Sequence, residues 1–104
     1  MFVKKYEYHI KEDQIEKFLD IQEKAGEIYS QYFHFQTMYL QHKHDSTKWM
    51  EITRYNSEVE YKKCMEMMKG NKELKELYES FQHLLLNQNE MIEEEFTEVK
   101  EIIK

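Results

Sequence analysis

The spacing of apolar residues changes several times along the chain, and each change predicts a new element. Residues 2–10 alternate with a period of two and are rich in aromatic residues, which predicts a strand. Its apolar face carries Phe2, Tyr6, Tyr8 and Ile10, with Lys4 as an exception. Residues 11–32 instead have apolar positions at helical spacing, and Asp13 with Glu16 predicts a capping box near the start. Gly26 inside this helix indicates a close approach of another element.

Two further stretches of period two, residues 34–44 and 48–56, predict a β-hairpin with a turn at residues 45–47. Both faces of this hairpin carry large apolar side chains. One face holds Phe35, Tyr39, Trp49 and Tyr55, and the other holds Met38, Leu40, Met50 and Ile52. Helices cover only one of these sets, so we expect a second copy of the chain to cover the other. The alternative is that the aromatic tips lie at the water boundary.

A long second helical stretch follows the hairpin and is predicted to break near Gly70. Ser57 and Glu60 form a capping box at its start, and Asn71 is suited to cap a new helix after the break. The apolar stripe then resumes with Leu74, Leu77, Tyr78, Phe81, Leu84 and Leu85. The tail, residues 91–104, fits a helix and a strand equally well. The predicted order is therefore β-α-β-β-α, followed by either element.

Length, composition and charge narrow the class of protein. A single domain, residues 1–104, is expected for 104 residues of which 40% are hydrophobic. The net charge of −6 disfavours nucleic acid and anionic membrane surfaces as partners. No apolar run reaches the roughly 18 residues of a membrane-spanning helix, and no signal-peptide core is recognisable. The lone Cys64 excludes an internal disulfide and fits a reducing cytoplasm, which is the location we expect.

Two stretches of the chain carry a resemblance to a known family. They are WMEITRYNSEVEYKKC, a third strand running into Ser57-x-x-x-Tyr61, and KELKELYESFQHLL, the second part of the second helix. With them, nearly the whole chain resembles the antibiotic-biosynthesis-monooxygenase-like (ABM-like) domains of the dimeric α/β-barrel superfamily. The resemblance implies a strand for the tail, and hence an α+β, ferredoxin-like β-α-β-β-α-β fold: a four-stranded antiparallel sheet with helices on one face. It also implies a homodimer, a dimeric α/β barrel.

Members of that family include haem-degrading monooxygenases, cofactor-independent quinone-forming monooxygenases and isomerase-like proteins. The haem-degrading members use an Asn on the first strand, and a Trp and a His on the second helix. At the matching positions this chain has Tyr6 or Glu7, Cys64 and Tyr78. A tyrosine such as Tyr78 ligates iron in some haem proteins. All three positions nevertheless depart from the pattern, so haem degradation is disfavoured and no cofactor is predicted.

The sequence His42, His44, Asp45 is compatible with part of a metal site and with the polar end of a hairpin. Two histidines two apart on a strand point the same way, but a site needs three or four ligands, and no second cluster has recognisable spacing. An Asp at the start of a turn commonly bonds its own backbone. The hairpin interpretation is therefore favoured, and no metal is predicted.

The candidate site residues are histidines and aromatic residues. Histidine suits proton transfer near neutral pH, which makes His9 and His83 catalytic candidates. Tyr78, at the position that matches the family's His, is the third. A ligand pocket between sheet and helices is predicted from Trp49, Tyr55, Cys64, Met68 and Tyr78; ordinary core packing is the alternative for each. These residues and the resemblance predict an ABM-like, cofactor-independent monooxygenase or an isomerase-type protein that binds a small aromatic or apolar compound. The alternative is a non-catalytic, small-ligand-binding or regulatory homodimer.

Overall fold

A computed structural model describes all residues, 1–104. The strands and helices are β1 (Phe2–His9), α1 (Ile15–Ser30), β2 (Phe35–Gln41), β3 (Lys48–Tyr55), α2 (Glu58–Met68), α3 (Lys72–Gln82) and β4 (Ile92–Thr97). The strands form one antiparallel sheet in the order β2-β3-β1-β4. The ferredoxin-like fold is confirmed, and the tail contributes its fourth strand. None of the three helices combines the length and the apolar character needed to cross a membrane.

The register of the strands decides which side chains meet the helices. In the central strand pair, Tyr8 lies opposite Trp49 and Tyr6 lies opposite Glu51. Because side chains alternate along a strand, these residues share the side on which the helices pack, which we call the helix face. The opposite side, the outer face, carries Val3, Met38, Leu40, Met50, Ile52, Ile92 and Phe96. The two apolar sets of the predicted hairpin therefore lie on opposite faces.

One end of the helix face is tightly packed. Phe18 of α1 is fully buried, and its ring centroid lies 5.1 Å from that of Trp49 and 5.7 Å from that of Tyr8. Phe81 of α3 meets Tyr8 edge-on at 5.1 Å. Tilted and edge-to-face contacts of this kind are favourable beyond the area that they bury. This region, the packed end, consists of Tyr8, Ile10, Phe18, Ile21, Trp49, Phe81, Leu84 and Leu85.

Side-chain caps fix the starts of α2 and α3. Ser57 Oγ accepts a hydrogen bond of 3.1 Å from the backbone N–H of Glu60, and Asn71 Oδ1 accepts one of 2.9 Å from that of Leu74. Between the two helices, Gly70 has a φ of 87°, in the left-handed region that favours glycine. The predicted break at Gly70 is confirmed.

Two predictions about α1 are wrong. A 3₁₀ turn at Glu12–Gln14 precedes the helix, so Gln14 occupies the N-cap position and the capping box of Asp13 and Glu16 does not form. Gly26 marks no close approach, since a Cβ at this position would meet no atom within 4 Å. The space beside Gly26 is open, and this opening belongs to the candidate site.

Candidate functional site

The other end of the helix face is hollow. A cavity of about 300 Å³ lies between the sheet and the three helices, and 13 of its 17 lining residues are hydrophobic, which suits an apolar ligand. We call it the helix-side cavity, and its principal lining consists of Tyr6, Tyr29, Glu51, Tyr55, Tyr61 and Tyr78. With the open space beside Gly26, it forms the hollow end of the helix face.

Short residues on α1 account for this space. Phe18 and Ile21 of α1 fill the packed end, whereas the next turn presents Ala25 and Gly26. A second space of about 240 Å³ borders Gly26 and shares Ala25 and Glu51 with the helix-side cavity. The hollow end therefore extends from α3 across the sheet to β2, with Glu51 at the junction of the two spaces.

Glu51 of β3 is a partly buried acid whose two oxygens have different surroundings. The Tyr8 hydroxyl donates a hydrogen bond of 2.8 Å to Oε1, while Oε2 makes no hydrogen bond within the chain. Glu51 also belongs to no ion pair. Burial raises the pKa of Glu51, and the hydrogen bond from Tyr8 offsets only part of this effect. Glu51 therefore exchanges its proton closer to neutral pH than an ordinary glutamate does.

Tyrosine hydroxyls supply the other polar groups of the hollow end. Burial raises the pKa of four of them, so they stay protonated at neutral pH; they are Tyr6, Tyr29, Tyr39 and Tyr55. Tyr39 donates a hydrogen bond of 2.9 Å to Oε1 of Gln22 on α1. Flat rings with weakly polar edges can hold an aromatic compound and hydrogen-bond its oxygen substituents.

A buried lysine, Lys4, lies beside the hollow end and is only 2% exposed; its ion-pair partner Glu93 is a second acid that lines the helix-side cavity. Its ammonium group donates a hydrogen bond to Glu93 and one of 3.1 Å to Glu95 on β4. The ammonium nitrogen also lies 5.3 Å from the ring centroid of Tyr61. Burial lowers the pKa of Lys4, but the two carboxylates more than offset this and leave it above its ordinary value. Lys4 therefore stays charged and ties β1 to β4.

The structure brings together only part of the predicted ligand pocket. Tyr55 and Tyr78 line the helix-side cavity, whereas Trp49, Cys64 and Met68 do not. Trp49 belongs to the packed end, where its indole N–H is buried without a hydrogen-bond partner. Cys64 and Met68 are buried residues of α2. Burial raises the pKa of the Cys64 thiol to about 11, so this thiol is uncharged at neutral pH.

The predicted catalytic candidates are also separated. His9 ends β1 on the outer face, with its Nδ1 2.9 Å from Oγ1 of Thr47. His83 is exposed where α3 ends, so neither histidine lines the helix-side cavity. The third candidate, Tyr78, does line it and is 49% exposed. Of the three candidates, only Tyr78 lies where it can contact a bound compound.

The histidine pair His42 and His44 lies in the exposed β2–β3 turn. Oδ1 of Asp45 accepts hydrogen bonds of 3.0 Å from the backbone N–H of Thr47 and 2.7 Å from its hydroxyl. These bonds hold the pKa of Asp45 below its ordinary value. His42 Nδ1 accepts a bond of 3.1 Å from the backbone N–H of His44. The hairpin interpretation is confirmed, and no group of three or more His, Cys, Asp or Glu residues is arranged to hold a metal ion.

The sequence-based prediction missed Glu51. It alternates in phase with Trp49 and Thr53, and all three point to the helix face. An acidic residue on the buried face of a central strand is uncommon unless it is paired or functional. The phase of Glu51 on β3, among apolar residues of the helix face, is the signal that could have identified it.

Solved structures with the same fold come from several proteins. One described as an antibiotic biosynthesis monooxygenase superimposes with a TM-score of 0.71 at 11% identity, covering 96% of this chain and 100% of that one. An uncharacterized NIPSNAP domain protein from Burkholderia xenovorans gives 0.74 at 13% identity, with full coverage of both chains. A dimeric ferredoxin-like protein from an uncultured marine organism gives 0.73 at 17% identity, covering 99% and 91%.

At these identities the likeness concerns the fold. The chain has the ferredoxin-like fold that its sequence resemblance implied, and it shares this fold with these proteins. No protein-family model matches the sequence. No curated protein matches it either.

Proposed function

We propose that residues 1–104 act as one domain, an ABM-like, cofactor-independent monooxygenase or isomerase-type protein that binds a small aromatic compound in the helix-side cavity. The observation that carries this proposal is the cavity of about 300 Å³ itself, which is apolar but has a buried acid in its floor. Its volume lies at the lower end of the range for small-molecule sites, about 300–1,000 Å³. The name of the monooxygenase with the same fold favours an enzyme over a passive binding protein.

The lining favours a flat ligand. Tyr55 and Tyr61 meet edge-on, with ring centroids 5.0 Å apart, and form one wall on the sheet and α2. Tyr78 of α3 and Tyr29 of α1 border the same space from the helix side, opposite the sheet. Tyr55 and Tyr78 therefore remain proposed ligand contacts. The lone thiol of Cys64 supports a proposed cytoplasmic location, because a free cysteine persists most readily in a reducing compartment.

We also propose that the working form is a homodimer joined through the outer face. That face holds Met38, Ile92 and Phe96, which are 52%, 51% and 45% exposed. Met38, Leu40 and Ile52 form an apolar patch on the neighbouring strands β2 and β3, while Ile92 and Phe96 lie on β4, on the other side of β1, whose outer face carries the ion pair of Lys5 and Glu7. An interface that covers this face buries both apolar patches. A solved protein of the same fold is described as dimeric, which supports the same arrangement here.

A cavity-filling variant tests the pocket. In Ala25→Leu the longer side chain enters the helix-side cavity and should abolish the binding of 2-methoxynaphthalene, measured by fluorescence titration. Glu23→Leu, at an exposed position on the same helix, is the matched control and should bind the probe like the wild type. Equal binding by the wild type and Ala25→Leu, or no binding at all, would refute the proposed pocket.

Oxygen uptake and product formation, measured with bicyclic and tricyclic hydroxyaromatic compounds, then test catalysis. Consumption of one of them by the wild type and not by Ala25→Leu would establish an enzyme. Saturable binding of the whole panel without any product would instead identify a binding protein.

A charge on the outer face tests the dimer. Met38→Lys places an ammonium group opposite Ile52 and should convert the dimer to a monomer at micromolar concentration, measured by light scattering after size exclusion. Met67→Lys, on α2 and 59% exposed, is the control and should leave the mass unchanged. A wild-type monomer under these conditions would refute the proposal.

A further inference from the structure

We infer that Glu51 is the proton acceptor of the helix-side cavity, and that the compound bound there is a hydroxyaromatic whose hydroxyl group donates its hydrogen bond to Oε2 of Glu51. The inference rests on the proposed function, because it requires a ligand inside this cavity. It adds the substrate class and the residue that performs the first chemical step.

The position of Glu51 carries the first part of the argument. It lies at the middle of β3, opposite Tyr6 on β1 and Tyr39 on β2. Its side chain borders both the helix-side cavity and the smaller space beside Gly26. A compound that occupies either space therefore meets this carboxyl group.

The hydrogen bonding of Glu51 carries the second part. The Tyr8 hydroxyl, held by the packed end, fixes Oε1 at 2.8 Å and thereby orients the carboxyl group. Oε2 is left without a donor from the chain. Oε2 is accessible to solvent in the cavity, so its hydrogen-bond donor comes either from water or from a ligand hydroxyl that displaces the water. Tyr8 is thus a positioning residue.

The structural role of Glu51 is to accept the hydrogen bond of the buried Tyr8 hydroxyl, and this role uses only Oε1. The buried lysine of this face, Lys4, is already matched by Glu93 and Glu95. The lone arginine, Arg54, points to the outer face and binds Glu98 through two hydrogen bonds of 2.9 and 3.0 Å. Glu51 has no cation to neutralise and no backbone N–H to cap, and acids buried in this way are concentrated at functional sites.

The chemical step is a proton transfer that needs no further reactant. The O–H bond of the bound hydroxyaromatic breaks, its electron pair stays on the ligand oxygen, and the proton forms a new bond to Oε2 of Glu51. The products are an aryloxide and a neutral glutamic acid, and the reverse step restores both. Burial raises the pKa of Glu51 towards that of the ligand, which makes the transfer less uphill than it is to a solvated glutamate.

Two probes of nearly equal shape test the hydrogen bond. 2-Naphthol carries a hydroxyl donor, and 2-methoxynaphthalene carries none. The wild type should bind 2-naphthol roughly tenfold or more tightly than the ether, the usual size of a hydrogen bond to a charged group. In Glu51→Gln the amide keeps an acceptor for Tyr8 but offers the cavity an N–H donor, so the preference should disappear or reverse. Ether binding unchanged in this variant shows that the cavity is intact.

Emission of bound 2-naphthol tests the proton transfer itself. Excited 2-naphthol is a strong acid that releases its proton to a base within hydrogen-bond distance and then emits as the anion, at longer wavelength. The bound probe should show anion emission in the wild type and neutral emission in Glu51→Gln. Tyr8→Phe, which frees Oε1, should weaken the anion band without abolishing it, since the acceptor remains.

Each outcome decides between the two proposals. Failure of both probes to bind refutes the proposed pocket, and this inference with it. Binding of both with equal affinity, or anion emission that persists in Glu51→Gln, refutes the role of Glu51 and leaves the pocket standing. Tighter binding of 2-naphthylmethylammonium than of 2-naphthol, lost in Glu51→Gln, would overturn the hydroxyaromatic assignment in favour of an organic cation.

Discussion

The two ends of the helix face have the same secondary structure and opposite interiors. At the packed end, Phe18 inserts between Tyr8 and Trp49 and leaves no space. At the hollow end, two turns further along α1, Ala25 stands over Glu51 across an open cavity. One helix thus closes half of a sheet and leaves the other half open.

This difference shows where stability and function are separated in so small a chain. Interlocked rings bury apolar area and stabilise the fold at the packed end. The hollow end gives up such contacts and holds a partly buried acid, and both features cost stability. Four sets of substitutions test this division, from the largest expected effect to the smallest.

Truncation at the packed end should be the most damaging. Phe18→Ala removes a fully buried ring that contacts four other aromatic rings, so it should lower the free energy of unfolding by about 3–5 kcal/mol. Tyr29→Ala at the hollow end removes a half-buried ring beside an existing cavity and should cost about 1–2 kcal/mol. Urea denaturation of both variants measures the difference, and equal losses would contradict the division.

Lys4, Glu93 and Glu95 form a charge cluster beside the hollow end. Removing its two acids should destabilise the fold more than removing its lysine. The double variant Glu93→Gln with Glu95→Gln leaves the Lys4 ammonium buried without a carboxylate, and should cost about 2–3 kcal/mol. Lys4→Met is the control and should cost less than about 1 kcal/mol, because both acids are half-exposed and turn to water. Thermal unfolding ranks the two variants, and a more harmful Lys4→Met would contradict this account.

Glu51→Gln should stabilise the fold, and increasingly so as the pH rises. Because burial raises the pKa of Glu51 above its ordinary 4.5, the folded state binds this proton more tightly than the unfolded state. The resulting stability is fully present below pH 4.5 and is lost as the pH rises through the folded-state pKa. Glutamine does not ionise, so the variant should be more stable than the wild type at neutral pH.

Melting temperatures measured at intervals between acidic and neutral pH check this prediction. The wild type and Glu51→Gln should converge at the acidic end and separate towards neutral pH. A Glu51→Gln variant that is less stable at neutral pH would mean that the charged carboxylate stabilises the fold.

Gly26→Ala should produce the smallest effect, and a favourable one. The added Cβ meets no atom within 4 Å, and alanine is the better helix former by about 1 kcal/mol in a helix interior. The gain should appear as a shift of the urea midpoint to higher concentration with an unchanged slope. A loss of stability would mean that the hollow end needs the glycine for its backbone.

Local signals predicted the elements and their ends where the physics is local. Ser57, Asn71 and Gly70 could be placed because a cap or a left-handed residue acts within one turn. Asp13 and Glu16 carry the same pattern, yet the chain forms a 3₁₀ turn there and the cap is lost. The 91–104 tail could not be decided locally, because an edge strand gains its hydrogen bonds from β1, far away in sequence.

The candidate site was predicted less well than the fold. Tyr55 and Tyr78 line the cavity and Trp49 lies in the packed end; an aromatic ring suits both a core and a pocket, so the sequence pattern alone could not separate them. His9 was predicted as a catalytic candidate from its chemistry, although its phase on β1 places it on the outer face. Glu51 was not predicted as a site residue, although its phase on β3 places it at the cavity.

By itself, the sequence determined the order of the elements as far as the tail, the two faces of β1, β2 and β3, the break at Gly70 and the acidic net charge. All of these follow from periodicity and from contacts within a few residues. Only the tertiary structure decided which half of the helix face is hollow and that Tyr8 holds Glu51 there. A cavity is the difference between the space that a fold encloses and the volumes of side chains brought from many parts of the chain, and no local pattern contains that difference.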